Sequence, residues 1–367
     1  MEIISRKDHI RKMKAFCIKA LNEVAWMCKE RPVCGPLDAI CEPIAHAICT
    51  SDVHMVYGGI DGGRGDLAGL ALGHEVLGCI VEVGSMVKDF KIGDKVIVPA
   101  ITPDYLTYEL QGGLPPQHFK GFSSGQQFSL KKDGTFAEYF HVNLADMNLA
   151  HLPDKMTLDA ALMCTDMVST GFWGAEMADI QLGSTLVVFG AGPVGLMAVA
   201  GGRLKGAGRI IIVDNNTQRM QLALEFGADE VVNFSECSPI EQIMNLTNKK
   251  GGDSAILAGG DENILGIGLS VVRPGGTVAN LNYFTGVPTI PIPRREWNSG
   301  LSDKIIRGGL CPGGRMRMER LARMVMNGRF DPTALVTHRF TGFDSIETAF
   351  FLMKDKPQGL IKPVVYM

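Results

Sequence analysis

Leu186-Val187-Val188-Phe189-Gly190-Ala191-Gly192-Pro193-Val194-Gly195 is the stretch whose reading decides the fold. Four consecutive apolar residues, suited to a buried strand, run directly into G-x-G-x-x-G, and an apolar helical run follows. In such a strand-turn-helix unit the first glycine makes the tight turn. The second admits a pyrophosphate against the backbone, and the third lets helix pack on strand. The helix, opening at Pro193 and Val194, then offers free N–H groups to phosphates. Three spaced glycines in a chain with 44 of them are weak evidence alone, so the surrounding pattern must carry the reading. No charge occurs between Asp179 and Arg203, yet seven glycines and prolines interrupt that segment, which favours a soluble unit over a membrane span.

The same rhythm repeats downstream. Ile210–Val213, Glu230–Asn233, Ala255–Leu257 and Thr277–Asn280 read as buried strands, with helices expected over Thr217–Phe226, Pro239–Thr247 and Ile264–Val272. This alternation predicts an α/β architecture, a parallel sheet covered on both faces. Asp214 closes the second strand, close to the offset of about twenty residues at which an acid meets the adenosine ribose. Its carboxylate would accept ribose hydroxyls and repel the extra phosphate of NADP; a helix N-cap or turn aspartate is the alternative. Asn215 and Asn216 follow, and Arg219 is the nearest cation. NAD(H) is therefore expected over NADP(H).

Up to about residue 150 the pattern is instead short and β-like, with Ala39–Ile48, Val76–Val83, Lys95–Val98 and Phe136–Val142 between turn residues. After about residue 310 come helices over Arg315–Met326 and Ser345–Met353, then a strand-like tail, Lys362–Tyr366, that returns to the first domain. The expected division is an extension at 1–12, a β-rich domain at 13–165 and 312–367, and a dinucleotide-binding domain at 166–311. A length of 367 residues suits two domains. A formal net charge of -3 argues against nucleic acid or an anionic membrane as partner. Nine cysteines without a C-x-x-C pair point to a reducing compartment, expected to be cytoplasmic. Arg6, Lys7, Arg11 and Lys12 leave an organelle presequence as the alternative to an inert extension.

Two stretches of the first half carry chemistry. Gly73-His74-Glu75-Val76-Leu77-Gly78, with Gly84 beyond, sets an imidazole beside a carboxylate in a glycine frame. It reads either as a half-buried structural histidine or as a metal ligand. Cys49-Thr50-Ser51-Asp52-Val53-His54 begins where a strand ends. It reads as a helix cap with a stray cysteine, or as a thiolate ligand with Ser51 and His54 spaced to pass a proton outward.

Together these residues resemble the zinc-dependent medium-chain alcohol dehydrogenases. Their signature, G-H-E, two residues, G, five residues, G, is matched by Gly73, His74, Glu75, Gly78 and Gly84. The likeness narrows to the secondary alcohol dehydrogenases of bacteria and protists through Cys49–Asp52, Pro99–Asp104, Ala145–Ala150 and Gly308–Arg315, and it covers Met13 to Met367. The resemblance implies a β-rich GroES-like catalytic domain joined to a Rossmann domain. It implies one catalytic zinc held by Cys49, His74 and Asp166, with Glu75 as a close or alternating fourth group. Relatives with a second, structural zinc carry a four-cysteine lobe, but no cysteine lies between Cys79 and Cys164 here. The implied pocket is Ser51, Ala100, Met167, Thr170, Tyr283, Leu310 and Cys311, with Tyr283 also at the cofactor. The implied substrate is a small secondary alcohol such as 2-propanol or its ketone, and the implied assembly a homotetramer.

Three positions depart from the family pattern. Asp214-Asn215-Asn216 replaces the common Gly-Ser-Arg that would hold an NADP phosphate; Gln126 falls where a pocket tryptophan is usual; and Trp173 replaces a histidine. If Gln126 faces the pocket, a polyol or diol becomes the alternative substrate. A non-catalytic nucleotide-binding protein is the reading from another class, opposed by the joint presence of Cys49, Ser51, His54, His74 and Asp166.

Overall fold

The computed structural model describes residues 12–58, 67–106, 125–284, 287 and 289–367. The chain divides into two compact units, Met1–Asp166 with Pro312–Met367, and Met167–Cys311. Asp166 thus falls in the first unit, one residue beyond the expected boundary.

The first unit opens with β1 (Lys12–Ala20) and β2 (Glu23–Glu30), an antiparallel hairpin. Then come β3 (Ala39–Ala47), β4 (Glu75–Val83), β5 (Lys95–Val98), β6 (Phe140–Val142) and β7 (Ala150–His151). The expected strand Phe136–Val142 is thus only three residues long. Phe136 belongs to a different crossing, accepting from Phe16 N and donating to Leu72 O at 2.8 Å each, so one ladder cannot run the whole stretch. Alternation in sequence showed that the segment is half-buried but not which neighbours it pairs with.

The second unit holds β8 (Thr185–Phe189), β9 (Arg209–Asp214), β10 (Glu230–Asn233), β11 (Gly252–Leu257), β12 (Val272–Asn280) and β13 (Ile305–Gly308). All pair in parallel in the order β10-β9-β8-β11-β12-β13. This is the doubly wound order in which the chain reverses direction beside the first strand, and a ligand-binding crevice opens at that switch point. Val187, Phe189, Ile211, Val213, Ala255, Leu257 and Val278 build the core beneath it, which is why these strands read as continuous apolar runs. Each such fully buried valine, leucine or isoleucine contributes about 1.5–3 kcal/mol.

The glycine loop sits at the carboxyl end of β8. Gly190 has φ +92°, the left-handed turn expected of the first glycine. A Cβ on Gly195 would lie 1.7 Å from the Gly190 carbonyl oxygen, whereas one on Gly192 would meet nothing within 4 Å. The helix Pro193–Leu204 follows directly, with Gly192 as N-cap and proline in its first turn.

Finally β14 (Val336–Thr341) and β15 (Lys362–Tyr366) return to the first unit. They complete a seven-stranded sheet, β14-β15-β3-β4-β5-β7, with β6 beside β3. Among the described residues no helix is long and apolar enough to cross a membrane. The extension at 1–12 lies outside them but for Lys12.

Candidate metal centre and dinucleotide site

β3 ends two residues before Cys49, which caps the helix Thr50–Val56. Asp52, three residues on, is fully buried and ties two segments together. Its Oδ2 accepts from Cys49 N at 3.0 Å. Its Oδ1 accepts from Gly73 N and from His74 Nδ1, both at 3.1 Å. One carboxylate therefore sets the backbone at Cys49 and the ring of His74 at once. With Nδ1 so engaged, His74 turns Nε2 toward Ser51 Oγ at 3.2 Å, Asp166 Oδ2 at 3.5 Å and Glu75 Oε1 at 3.8 Å. Asp166 arrives from the end of the helix Leu158–Thr165, as its C-cap.

One ligand atom each from Cys49, His74, Glu75 and Asp166 lies within 4.8 Å of all the others. Burial alone would hold His74 below its usual range, but Asp52, Asp166 and Cys49 raise it well above. The cluster therefore draws positive charge. Burial likewise would lower Lys362, yet the charges of Cys49, Glu75 and Asp166 push it up and keep it cationic, its Nζ 2.5 Å from Glu75 Oε1. The other oxygen of Glu75, Oε2, is buried without a hydrogen-bond partner among the described residues. A sulfur, an imidazole nitrogen and carboxylate oxygens within this span, in an anionic field beside an unsatisfied oxygen, fit a zinc ion in chemistry and in size.

Asp52 was not singled out in the sequence as the partner of His74, although its position three residues after Cys49 is the capping-box spacing. Asp52→Asn is expected to lower zinc affinity about 10–100-fold, the usual cost of losing a carboxylate that orients a histidine ligand. Competition with a chelating dye measures this, and parent-like affinity would show that His74 is oriented without it.

Ser51 and His54, the proton path expected from the sequence, both lie on the helix Thr50–Val56. Ser51 Oγ turns inward to His74, while His54 is exposed in the last turn of the same helix. Among the described residues no hydrogen bond joins Ser51 to His54. Three residues apart, the two lie on neighbouring parts of the same helix face, Ser51 against His74 and His54 in the exposed last turn. Partial burial, and then the charge of Lys356, hold His54 below the usual imidazole range, leaving it neutral and able to take a proton.

In the second unit Asp214 is buried, its Oδ2 accepting from Ala191 N at 2.6 Å and its Oδ1 from Asn215 N and Asn216 N at 2.8 Å each. The helix cap is Asn216, whose side chain accepts from Arg219 N at 3.1 Å. Three donors leave about one acceptor site of a carboxylate's four. The open space above Gly192 is where the backbone admits a phosphate. These features fit a dinucleotide.

The implied pocket residues are distributed over both units. Ser51 and Ala100 belong to the first; Met167, Thr170, Tyr283, Leu310 and Cys311 belong to the second. Ala100, Met167 and Cys311 are buried, and Tyr283 is exposed. Gln126 is half-buried, and residues 107–124 before it lie outside the described ones. Trp173 lies in the helix Met167–Met177 with a buried Nε1 that lacks an acceptor among the described residues; nothing in the structure explains the replacement.

Residues 35–154 match the alcohol dehydrogenase GroES-like domain, and residues 193–319 match the zinc-binding dehydrogenase family. The NADP-dependent isopropanol dehydrogenase of Thermoanaerobacter brockii is 55% identical over 97% of this chain and 100% of its own. That of Entamoeba histolytica is 48% identical over 96% and 95%. Among solved structures, a zinc dependent alcohol dehydrogenase 2 from Streptococcus pneumonia superposes with a TM-score of 0.84 at 27% identity, covering 96% of this chain and 98% of that one.

Proposed function

Because the chain belongs to the zinc-dependent medium-chain alcohol dehydrogenases, among the secondary alcohol dehydrogenases of bacteria and protists, we propose that it interconverts a small 2-propanol-like alcohol and its ketone. The observation that carries this reading is the four-residue cluster of Cys49, His74, Glu75 and Asp166. When bound, zinc would supply a Lewis acid that eases loss of the alcohol's proton, and a nicotinamide would supply the hydride acceptor. Cys49, His74 and Asp166 would hold the metal, with one position left for substrate. Ser51 Oγ, beside that position, receives the proton. His54, in the exposed last turn of the same helix, passes it on to solvent. Asp52 holds the His74 ring so that Nε2 faces the metal.

One zinc per chain completes the reading, supported by the absence of cysteines between Cys79 and Cys164. A homotetramer is supported by the edge strand β13, which carries the exposed Ile305, and by the exposed Ile290, Ile292 and Leu301 in the chain leading to it.

On the cofactor two observations pull apart. The isopropanol dehydrogenases at 48% and 55% identity are named NADP-dependent. Against that stands Asp214, a buried carboxylate at the end of β9, with asparagines at 215 and 216. We take the carboxylate as deciding, because a doubly charged phosphate cannot share its place without a cation between them. With 2-propanol, kcat/KM is expected to favour NAD over NADP by about tenfold or more, a difference of about 1.4 kcal/mol. Asp214→Gly should narrow it. A preference for NADP(H) in the parent enzyme would assign the cofactor to the relatives' side, and no turnover of 2-propanol with either cofactor would overturn the activity itself.

A further inference from the structure

Lys362 is the single lysine among the described buried residues, 1% exposed, and it stands 287 residues from the carboxylate it holds. The sheet explains how they meet. Val364 of β15 is in register with Ala47 of β3, and Ala47 with Glu75 of β4. Side chains in register share a face, and Lys362, two residues before Val364, shares it too. Ala47, the residue of β3 in register between Val364 and Glu75, carries only a methyl group.

The oxygen it reaches matters. Glu75 Oε1 lies 3.8 Å from His74 Nε2, and Lys362 Nζ sits 2.5 Å from that same oxygen, while Oε2 has no hydrogen-bond partner among the described residues. We propose that Lys362 is a positioning residue that keeps Glu75 from becoming a permanent fourth ligand, and so keeps one metal position open for the substrate. The inference rests on the zinc reading above. Charge supports it: a divalent ion beside the three anions Cys49, Glu75 and Asp166 would leave one negative charge in excess, and Lys362 cancels it. Freed of that tether, a buried carboxylate with an uncompensated charge has one cation left to turn to.

The test uses the cobalt-loaded full chain, whose visible absorption reports what surrounds the metal, with neutral imidazole as the incoming ligand. In Lys362→Met, imidazole is expected to bind about tenfold or more weaker than in the parent, and metal release to a chelator is expected to slow by a similar factor. Lys362→Arg should restore both. Lys362→Met combined with Glu75→Leu should also reopen the position, and removing both members of a buried pair is tolerated far better than removing one. Parent-like imidazole binding in Lys362→Met, or failure of the double variant to reopen the site, overturns the proposal. If Lys362→Met does not fold, Glu75→Gln decides: imidazole affinity within about threefold of the parent is expected if Glu75 is already held back, and a tightening of about tenfold would show it bound to the metal and sink the idea. A parent chain that takes up no cobalt would instead fail the zinc reading, a separate outcome.

Discussion

Cys49→Ser is expected to lower kcat/KM for 2-propanol about a thousandfold or more while leaving the fold intact. A metal that activates a substrate oxygen supplies several kcal/mol of transition-state stabilisation, and each 1.36 kcal/mol is about a factor of ten. A serine hydroxyl stays protonated near neutral pH and is a poor zinc ligand, so metal content should fall with activity. The substitution is structurally mild for a local reason. Cys49 is the N-cap of the helix Thr50–Val56, and serine is among the preferred N-cap residues. The backbone bond from residue 49 to Asp52 does not involve the thiol, so it survives. Metal analysis, steady-state kinetics and a urea midpoint measured on the same preparation separate the effects. Full activity in a metal-depleted Cys49→Ser enzyme would sink the assignment of this cluster as the reaction centre.

Gly195→Ala should be the most damaging single methyl in the second unit. Its Cβ would be placed 1.7 Å from the Gly190 carbonyl oxygen, a backbone atom that cannot rotate away. Gly190 cannot shift either, since its own N–H donates to Val213 O at 2.8 Å and binds the loop to β9. Overpacking a core costs about 1–3 kcal/mol when side chains can yield, and here the obstacle is main chain, so about 3 kcal/mol or more is expected, together with loss of cofactor binding. Gly192→Ala is the control. Its methyl meets no protein atom within 4 Å, so stability should hold. Cofactor affinity should still fall about tenfold or more, because the methyl occupies the approach to the backbone. Urea unfolding beside cofactor titration distinguishes the pair. Equal stability of the two variants would show that the third glycine does not control how helix packs on strand.

Much of this architecture was legible from local pattern. β10, the helices Thr217–Phe226 and Arg315–Met326, and the tail Lys362–Tyr366 run over the residues their periodicity predicts. Apolar periodicity reports burial, and turn residues report where a run must stop. The first unit was harder. β1, β2, β14 and the helix Leu158–Thr165 were not read from the sequence, and neither was the helix Met167–Met177 that opens the second unit. Met163, Cys164, Met167, Val168 and Phe172 are buried on several sides of those two helices, so no amphipathic stripe marks them.

By itself the sequence determined the order of elements, the glycine loop with its acid at 214, and the residue types able to hold a zinc ion. These depend on neighbours within a few positions, where backbone geometry translates spacing directly into placement. Only the tertiary structure decided how residues far apart meet: that Asp52 orients His74, that Ser51 turns its hydroxyl to His74, and that Lys362 reaches Glu75 across a strand. The physical reason is sheet register. A one-residue slip of β15 against β3 would turn Lys362 to the other face, and nothing in the five residues Lys362–Tyr366 says which strand lies beside them.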